Sequence, residues 1–84
     1  MQTIPDSYEE GVQMTEVKNV KYQYNSSQLR AQMQLAKSTN TPYRLIVNQA
    51  TKLSQPLIDA LKQIGATVEE FNPVTKVLTP RVLP

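Results

Sequence analysis

Three ionisable side chains near the start of the chain have the types and spacing that suit metal-assisted hydrolysis. Asp6 follows Pro5, and Glu16 and Lys18 stand further along the chain with one residue between them. Alternate side chains of a strand share a face, so Glu16 and Lys18 project together while Val17 projects to the other side. If the two segments pair as a hairpin, Asp6 meets Glu16 across the strands. Two adjacent carboxylates then need a cation between them.

A divalent ion of the magnesium type is the cation that these side chains favour. Mg²⁺ prefers hard oxygen ligands and is commonly held by one or two carboxylates, with water and substrate phosphate completing its coordination. Asp6 and Glu16 are the candidate side-chain ligands, and the backbone carbonyl of Val17 is a further candidate. Lys18 would orient or deprotonate a water, or offset charge that develops on the scissile phosphate. The pattern predicts phosphodiester hydrolysis that depends on Mg²⁺ or Mn²⁺.

The composition of the 84-residue chain limits the other chemistries. It contains neither cysteine nor histidine, which excludes thiol nucleophiles, disulfides, zinc fingers and Ser-His-Asp triads. The formal net charge of +2 is a mild excess of basic residues and does not by itself indicate a nucleic-acid-binding protein. The apolar stretches are far shorter than the roughly 20 residues that cross a bilayer, so no association with a membrane is expected.

A solvated strand face is the simpler explanation of the glutamate and lysine pair. With this composition, an acidic residue two positions before a lysine arises by chance roughly 0.5 times in the chain. The surrounding sequence adds weight to the catalytic interpretation without displacing the simpler one, because Pro5 and Asp6 precede the pair, a turn at Gly11 intervenes, and a helix carrying Gln28 follows. Both interpretations stay open at this level.

The elements that must position these residues follow an α/β order. Serines stand where a helix needs a side-chain oxygen to accept its first free amides, and apolar residues recur beyond them at helical spacing. The helices would serve as crossovers between strands that pair in parallel. In chain order the predicted elements are strand 3–8, strand 12–20, a helix of about 12 residues from Ser26 or Ser27, strand 43–48, a helix from Ser54 to a stop at Gly65, and strand 67–71.

The chain is expected to form one domain over residues 1–84. Residues 74–84 carry two prolines and no clear period, which predicts a C-terminal arm or a frayed terminus. Glu69 and Glu70 are expected at a solvent-facing strand end. The predicted core consists of Leu29, Met33, Leu57, Leu61 and Ile64.

Four further residues are candidates for contacting nucleic acid. Tyr22 beside Lys21 would stack on a base, and Arg30 and Lys52 would contact phosphates. The alternatives are that the tyrosine packs against a sheet face and that the cations are solvated helix and loop charges.

Four segments also carry a family resemblance, namely residues 4–6 (IPD), 15–22 (TEVKNVKY), 27–30 (SQLR) and 51–57 (TKLSQPL). They resemble the PD-(D/E)XK nuclease superfamily, specifically the restriction-endonuclease-fold toxin domains at the C-terminal tips of bacterial polymorphic toxins of the contact-dependent and Rhs types. The resemblance implies a small restriction-endonuclease-like mixed sheet with two helices, in the order β-β-α-β-α-β. It also implies Asp6 and Glu16 as metal ligands, Lys18 as the catalytic lysine, and Gln28 as the helix glutamine near the site.

The function implied by the resemblance is a metal-dependent DNA endonuclease used in bacterial competition. Such a domain is secreted or delivered into the cytoplasm of a target bacterium and is neutralised by a cognate immunity protein. Similar nucleases place a helix and a first core strand before the Pro-Asp strand, whereas Met1 to Thr3 alone precede Ile4 here. The N-terminal part of the usual core is therefore expected to be absent, and a homodimer or a completing chain is expected to pair with the exposed sheet edge.

Two other functions fit the same residues. A nuclease of this fold would also serve as a repair or junction-resolving enzyme, or as one that cleaves RNA. A non-catalytic toxin fragment or protein-interaction module would bind a protein partner and cut nothing. Loss of cleavage in EDTA and on Lys18→Ala substitution separates the enzymes from the binding module.

Overall fold

A mixed five-stranded sheet covered by two helices forms the body of the chain, and the computed structural model describes residues 7–84. In chain order the elements are β1 (Ser7–Glu9), β2 (Gln13–Lys18), β3 (Tyr22–Gln23), α1 (Ser27–Ser38), β4 (Tyr43–Asn48), β5 (Lys52–Leu53), α2 (Gln55–Gln63), β6 (Thr67–Phe71) and β7 (Leu78–Pro80). The strand order of the main sheet is β1-β2-β4-β6-β7, and β3 pairs with β5 in a second, two-stranded sheet. The α/β class with a small mixed sheet and two helices is confirmed.

The main sheet has a parallel centre and antiparallel edges. Strands β2, β4 and β6 pair in parallel, and helices α1 and α2 make the two crossovers between them. Strand β1 pairs antiparallel with β2, with Ser7 opposite Thr15, so the predicted hairpin is present. Its turn contains Gly11 at φ 76°, a left-handed conformation that glycine adopts without steric cost. Both crossovers run in the same direction along the sheet, and the two helices share one core cluster on one face of it.

The helices begin and end where the sequence predicts. Ser26 caps α1 by accepting a hydrogen bond from the Leu29 amide at 3.2 Å, and Ser54 caps α2 in the same way. Each cap satisfies one of the amides that a helix N-terminus leaves without an intrahelical partner. Pro56 lies in the first turn of α2, where its missing amide removes no helical hydrogen bond. Gly65 follows the helix at φ 66°.

One hydrophobic core lies between the sheet and the helices. Of the predicted core residues, Ile64 alone is only partly buried and packs against the edge of the cluster. The chain has little apolar surface to spare at this size, so a polar residue on the inner face of the sheet needs an explanation. The fully or nearly fully buried apolar residues of the cluster are Met14, Leu29, Met33, Ala36, Tyr43, Leu45, Val47, Leu57, Leu61 and Val68.

The C-terminal segment differs from the expected arm. A turn after β6 reverses the chain, with the Asn72 side chain accepting from the amides of Val74 and Thr75. Leu78 then pairs with Phe71 as β7 forms the edge of the sheet. Backbone pairing of this kind needs no hydrophobic period, and Pro80 is tolerated because it stands on an edge strand.

Neither helix of residues 7–84 has the length and apolar character that a membrane span requires.

Candidate active site

Glu16 is an acid on the inner, helix-covered face of the sheet. It lies in β2 opposite Leu45 of β4, and the residue is only 3% exposed. The same face carries the buried side chains of Leu45 and Val68. A carboxylate among apolar neighbours is costly unless polar groups bind it. The simpler explanation of a solvated strand face is therefore wrong for Glu16.

Lys18 and Gln28 are two polar side chains that meet Glu16. The Lys18 ammonium nitrogen lies 3.4 Å from Glu16 Oε2 and donates a hydrogen bond to Gln28 Oε1 at 2.8 Å. Gln28 Nε2 lies 3.5 Å from the same Glu16 oxygen. The three side chains thus form a closed triangle, which we call the Glu16 cluster.

Two local features of the sequence build the Glu16 cluster. The alternation of β2 sends Glu16 and Lys18 to the same side, as predicted, while the half-exposed Val17 side chain faces the opposite side. Gln28 is in the first turn of α1, which the Ser26 cap fixes in place. The ten-residue path from Lys18 to Gln28 therefore leaves the sheet and returns to it at the cluster.

The Gln28 amide lies between the cation and the anion of the cluster. Its oxygen accepts from the Lys18 ammonium, and its Nε2 group faces the Glu16 carboxylate. The amide can satisfy a cation and an anion together because it carries both an acceptor and two donors. The arrangement holds an ammonium group beside a buried carboxylate at an end of β2 that is partly open to solvent.

Of the two carboxylates predicted to bind the metal ion, the structure describes Glu16 and not Asp6. Asp6 lies outside the described residues, and Ser7 opposite Thr15 is the first described pair of the hairpin. The carboxylate of Glu16 is the hard oxygen donor that a divalent ion of the predicted type prefers. Among residues 7–84, no group of three or more His, Cys, Asp or Glu side chains is placed to hold a metal ion. The ligand roles of Asp6 and of the Val17 carbonyl stay predictions.

Three of the four residues predicted to contact nucleic acid lie together. Tyr22 of β3 pairs with Lys52 of β5, and the Lys52 amide donates to the Lys21 carbonyl at 2.9 Å. All three residues are exposed. Arg30 is also exposed but projects from α1 into a groove between the two helices, where Lys37 is a neighbour. Arg30 therefore lines this groove together with Asn25, and it has no contact with the β3–β5 pair among those the structure gives.

Residues 1–57 match the family model described as Restriction endonuclease fold toxin 7. The chain belongs to this family. The match contains Asp6 and every member of the Glu16 cluster, and it ends within α2. The predicted resemblance to restriction-endonuclease-fold toxin domains is confirmed, and with it a toxin of nuclease type. No curated protein and no solved structure gives a significant match.

Arg81 makes structural contacts that the sequence analysis did not predict. It lies beyond residues 1–57, which match the family model. Its guanidinium donates to Glu70 at 2.7 Å and to the Thr51 carbonyl at 2.8 Å. It also donates to the carbonyls of Asn48 and Gln49 at 3.3 and 3.2 Å. The residue thereby ties the C-terminal segment to the connection between β4 and β5. No local signal in the sequence indicates the three carbonyl contacts, since they join residues 30 to 33 positions apart.

The anchored connection in turn contacts the segment that follows the Glu16 cluster. Thr51 Oγ1 donates to the Val20 carbonyl, and the Asn48 side chain donates to Asn19 at 3.2 Å. Asn19 and Val20 come directly after Lys18 at the end of β2. The carboxyl end of β2, which carries Glu16 and Lys18, is therefore followed by a segment that the β4–β5 connection holds, and Arg81 anchors that connection in turn.

Proposed function

We propose that this chain is a metal-dependent nuclease toxin domain that hydrolyses DNA phosphodiester bonds at the Glu16 cluster. The observation that supports the proposal most is the meeting of Glu16, Lys18 and Gln28, with the acid buried, in a member of a restriction endonuclease fold toxin family. A buried acid beside a lysine contributes little to folding stability, because desolvation offsets the attraction of the pair. Such pairs at an accessible strand end are typical of catalytic sites.

Glu16 and Asp6 would hold the divalent ion, Mg²⁺ or Mn²⁺, and the Val17 carbonyl would add a third oxygen. A bound ion of this kind supplies Lewis-acid activation of the phosphate and of water. The case for Asp6 rests on its place in the sequence, directly before the strand that pairs with β2. Carboxylate, carboxylate and carbonyl oxygens form the hard donor set that Mg²⁺ prefers.

Lys18 would act on the substrate and the attacking water. Its ammonium carries three donors, so one can bind Gln28 while others reach a phosphate oxygen or a water. Charge that develops on the phosphate would be offset by this fixed cation. Gln28 would hold the Lys18 ammonium in position through the 2.8 Å hydrogen bond.

DNA would reach the cluster over the exposed residues of the neighbouring two-stranded sheet. Lys21 and Lys52 would contact phosphates, and Tyr22 would contact a base. Arg30 would bind phosphate from the groove between α1 and α2.

The toxin family supports a biological setting of bacterial competition. In this setting the domain is delivered into the cytoplasm of a target bacterium, and a cognate immunity protein in the producing cell neutralises it. Strands β1 and β7 are the edges of the sheet, and a second copy or a completing chain would pair there. Size-exclusion mass measurement tests this pairing, and a monomer that unfolds cooperatively would argue against it.

Incubation with plasmid DNA tests the proposed activity. Mg²⁺ or Mn²⁺ should permit degradation, EDTA should abolish it, and Lys18→Ala should reduce the rate on the order of 10³-fold, within the range for a charged transition-state donor. Lys62→Ala is the matched control, because Lys62 is an exposed lysine of α2 that donates to the Pro84 carbonyl.

The outcomes separate the candidate functions. A folded protein that leaves plasmid intact under every metal condition would favour a non-catalytic interaction module. Preferential cleavage of an RNA of matched length would favour the RNA-cleaving alternative, and preferential cleavage of branched DNA would favour junction resolution. Equal loss of activity in the Lys18 and Lys62 variants would contradict the assignment of Lys18.

A further inference from the structure

Two tyrosines on the connection between β2 and α1 are exposed next to each other. Tyr22 is 57% exposed and Tyr24 is 62% exposed, while Gln23 between them is buried. This alternation is typical of extended backbone, in which positions two apart face the same side about 6.6 Å from each other along the chain. The two rings therefore project from one side of a short surface segment.

The other two tyrosines of the chain are occupied differently. Tyr43 is buried in the core, where its hydroxyl donates to Gln32 at 2.9 Å. Tyr8 is less exposed than Tyr22 or Tyr24, and its hydroxyl reaches Thr39. A tyrosine ring is a large apolar surface that usually gains from being covered. Tyr22 and Tyr24 leave that surface open to solvent.

The backbone beneath these rings is fixed. The Ser54 amide donates to the Gln23 carbonyl, and the Ser26 amide donates to the Tyr24 carbonyl, both at 2.9 Å. Gln23 Nε2 donates to the Tyr24 carbonyl as well, at 2.8 Å. A surface that is already ordered loses little conformational entropy when a ligand binds to it.

The tyrosine segment is tied to the Glu16 cluster at both ends. It lies within the ten-residue path that begins at Lys18 and ends at Gln28, and these two side chains are joined by a 2.8 Å hydrogen bond. A ligand that rests on the two rings therefore lies on the loop whose two ends, Lys18 and Gln28, belong to the candidate active site.

The charge around the segment favours an anionic ligand. Residues 17–58 contain no aspartate or glutamate, whereas they contain six lysines and arginines. Two of these cations, Lys21 and Lys52, are exposed beside Tyr22. Paired aromatic rings flanked by cations suit single-stranded nucleic acid, because bases stack on the rings while phosphates meet the cations.

We propose that Tyr22 and Tyr24 form a stacking platform for unpaired bases, so that the domain prefers single-stranded nucleic acid or the frayed ends and junctions of duplexes. This inference rests on the proposed nuclease function and specifies its substrate. A paired base hides its faces within the stack of the duplex, whereas an unpaired base offers both faces to an aromatic ring. The platform thus discriminates by strandedness and not by base sequence.

Binding measured in EDTA tests the platform independently of cleavage. The chain contains no tryptophan, so the quenching of tyrosine fluorescence by oligothymidylate reports directly on stacking. Tyr22→Leu and Tyr24→Leu should each weaken oligothymidylate binding on the order of tenfold, while Tyr22→Phe and Tyr24→Phe should retain it within about twofold because phenylalanine also stacks. Tyr8→Leu is the control with an unchanged affinity.

Further arms of the experiment separate the possible outcomes. Oligouridylate in place of oligothymidylate distinguishes RNA from DNA, and a duplex of equal length should bind more weakly to the wild-type protein and lose little affinity in the leucine variants. Equal losses for single strand and duplex, or no loss in folded leucine variants, would overturn the platform. A wild-type protein that binds through the tyrosines yet never cleaves would overturn the nuclease and leave the platform standing.

Discussion

The two faces of the central sheet each carry an ion pair, and the pairs are built differently. On the open face, Arg44 and Glu69 join β4 to β6, and both side chains are more than a quarter exposed. On the helix-covered face, Glu16 pairs with Lys18, and the Glu16 side chain is only 4% exposed. Arg44 Nε lies 3.0 Å from Glu69, and its Nη2 group contacts the same oxygen. The Lys18 and Glu16 atoms are 3.4 Å apart.

This contrast shows what each pair contributes. A partly exposed pair such as Arg44 and Glu69 contributes on the order of 0–1 kcal/mol to stability, and its arginine fork suits a structural contact. Burying Glu16 removes a carboxylate from water. The free-energy cost of this desolvation is offset only when well-placed cations and hydrogen-bond donors bind the carboxylate. The Lys18 ammonium lies 2.8 Å from the Gln28 oxygen and 3.4 Å from the Glu16 oxygen, so of these two side chains Gln28 holds the ammonium group more closely.

Neutralising one acid on each face gives the largest expected difference. Glu16→Gln keeps the shape of the side chain but removes its charge, and it should lower plasmid cleavage on the order of 10³-fold because both the proposed ion and Lys18 lose their anionic partner. Glu69→Gln should leave the rate within about twofold. Initial cleavage rates at saturating Mg²⁺ measure both variants.

Thermal unfolding of the two proteins provides the control for this comparison. Glu16→Gln should unfold at or above the wild-type temperature, because a neutral amide costs less to bury than a carboxylate. Similar losses of activity in the Glu16 and Glu69 variants would place the effect in folding and not in chemistry.

The two arginines that pair with β6 should differ in their effect on stability. Arg81→Ala should lower the free energy of unfolding by about 2–3 kcal/mol, because it removes one carboxylate contact and three carbonyl contacts. Arg44→Ala should lower it by about 1 kcal/mol or less. Urea unfolding followed by circular dichroism measures both changes.

Hydrogen exchange shows where the loss of Arg81 acts. The amides of Lys52 and Ser54 donate to the carbonyls of Lys21 and Gln23, and they should exchange faster in Arg81→Ala than in Arg44→Ala. Equal destabilisation by the two substitutions, with unchanged exchange at these amides, would mean that Arg81 does not hold the β4–β5 connection.

The parts of the fold that local physics determines were predictable from the sequence. Ser26 and Ser54 are N-cap residues that indicate where the two helices begin. Strand β4 (Tyr43–Asn48) is a near-continuous apolar run bounded by turn residues. The alternation of β2 places Glu16 and Lys18 on one face. The sequence thus predicts the parallel core and two members of the Glu16 cluster.

The parts that depend on distant contacts were not predictable in the same way. Strands β3 and β7 are short and have no hydrophobic period, and backbone pairing with remote segments forms them. Glu69 and Glu70 lie partly exposed on β6, and each accepts from an arginine, Arg44 or Arg81, that local patterns do not place nearby. The nearness of Gln28 to Lys18 came from the family resemblance, because helix periodicity alone does not give the packing of α1 on β2.

Gln28 allows the smallest of these effects to be measured within the Glu16 cluster itself. Gln28→Ala should lower kcat about tenfold and leave KM for DNA unchanged, because the glutamine acts by holding the Lys18 ammonium and does not touch the substrate. In a Lys18→Ala background the same substitution should change the rate by no more than about twofold, since the group that it positions is gone. Independent, additive losses in the double variant would mean that Gln28 contacts the reacting groups itself. A large fall in the free energy of unfolding on Gln28→Ala would instead assign it to the packing of α1, which the intact Ser26 cap argues against.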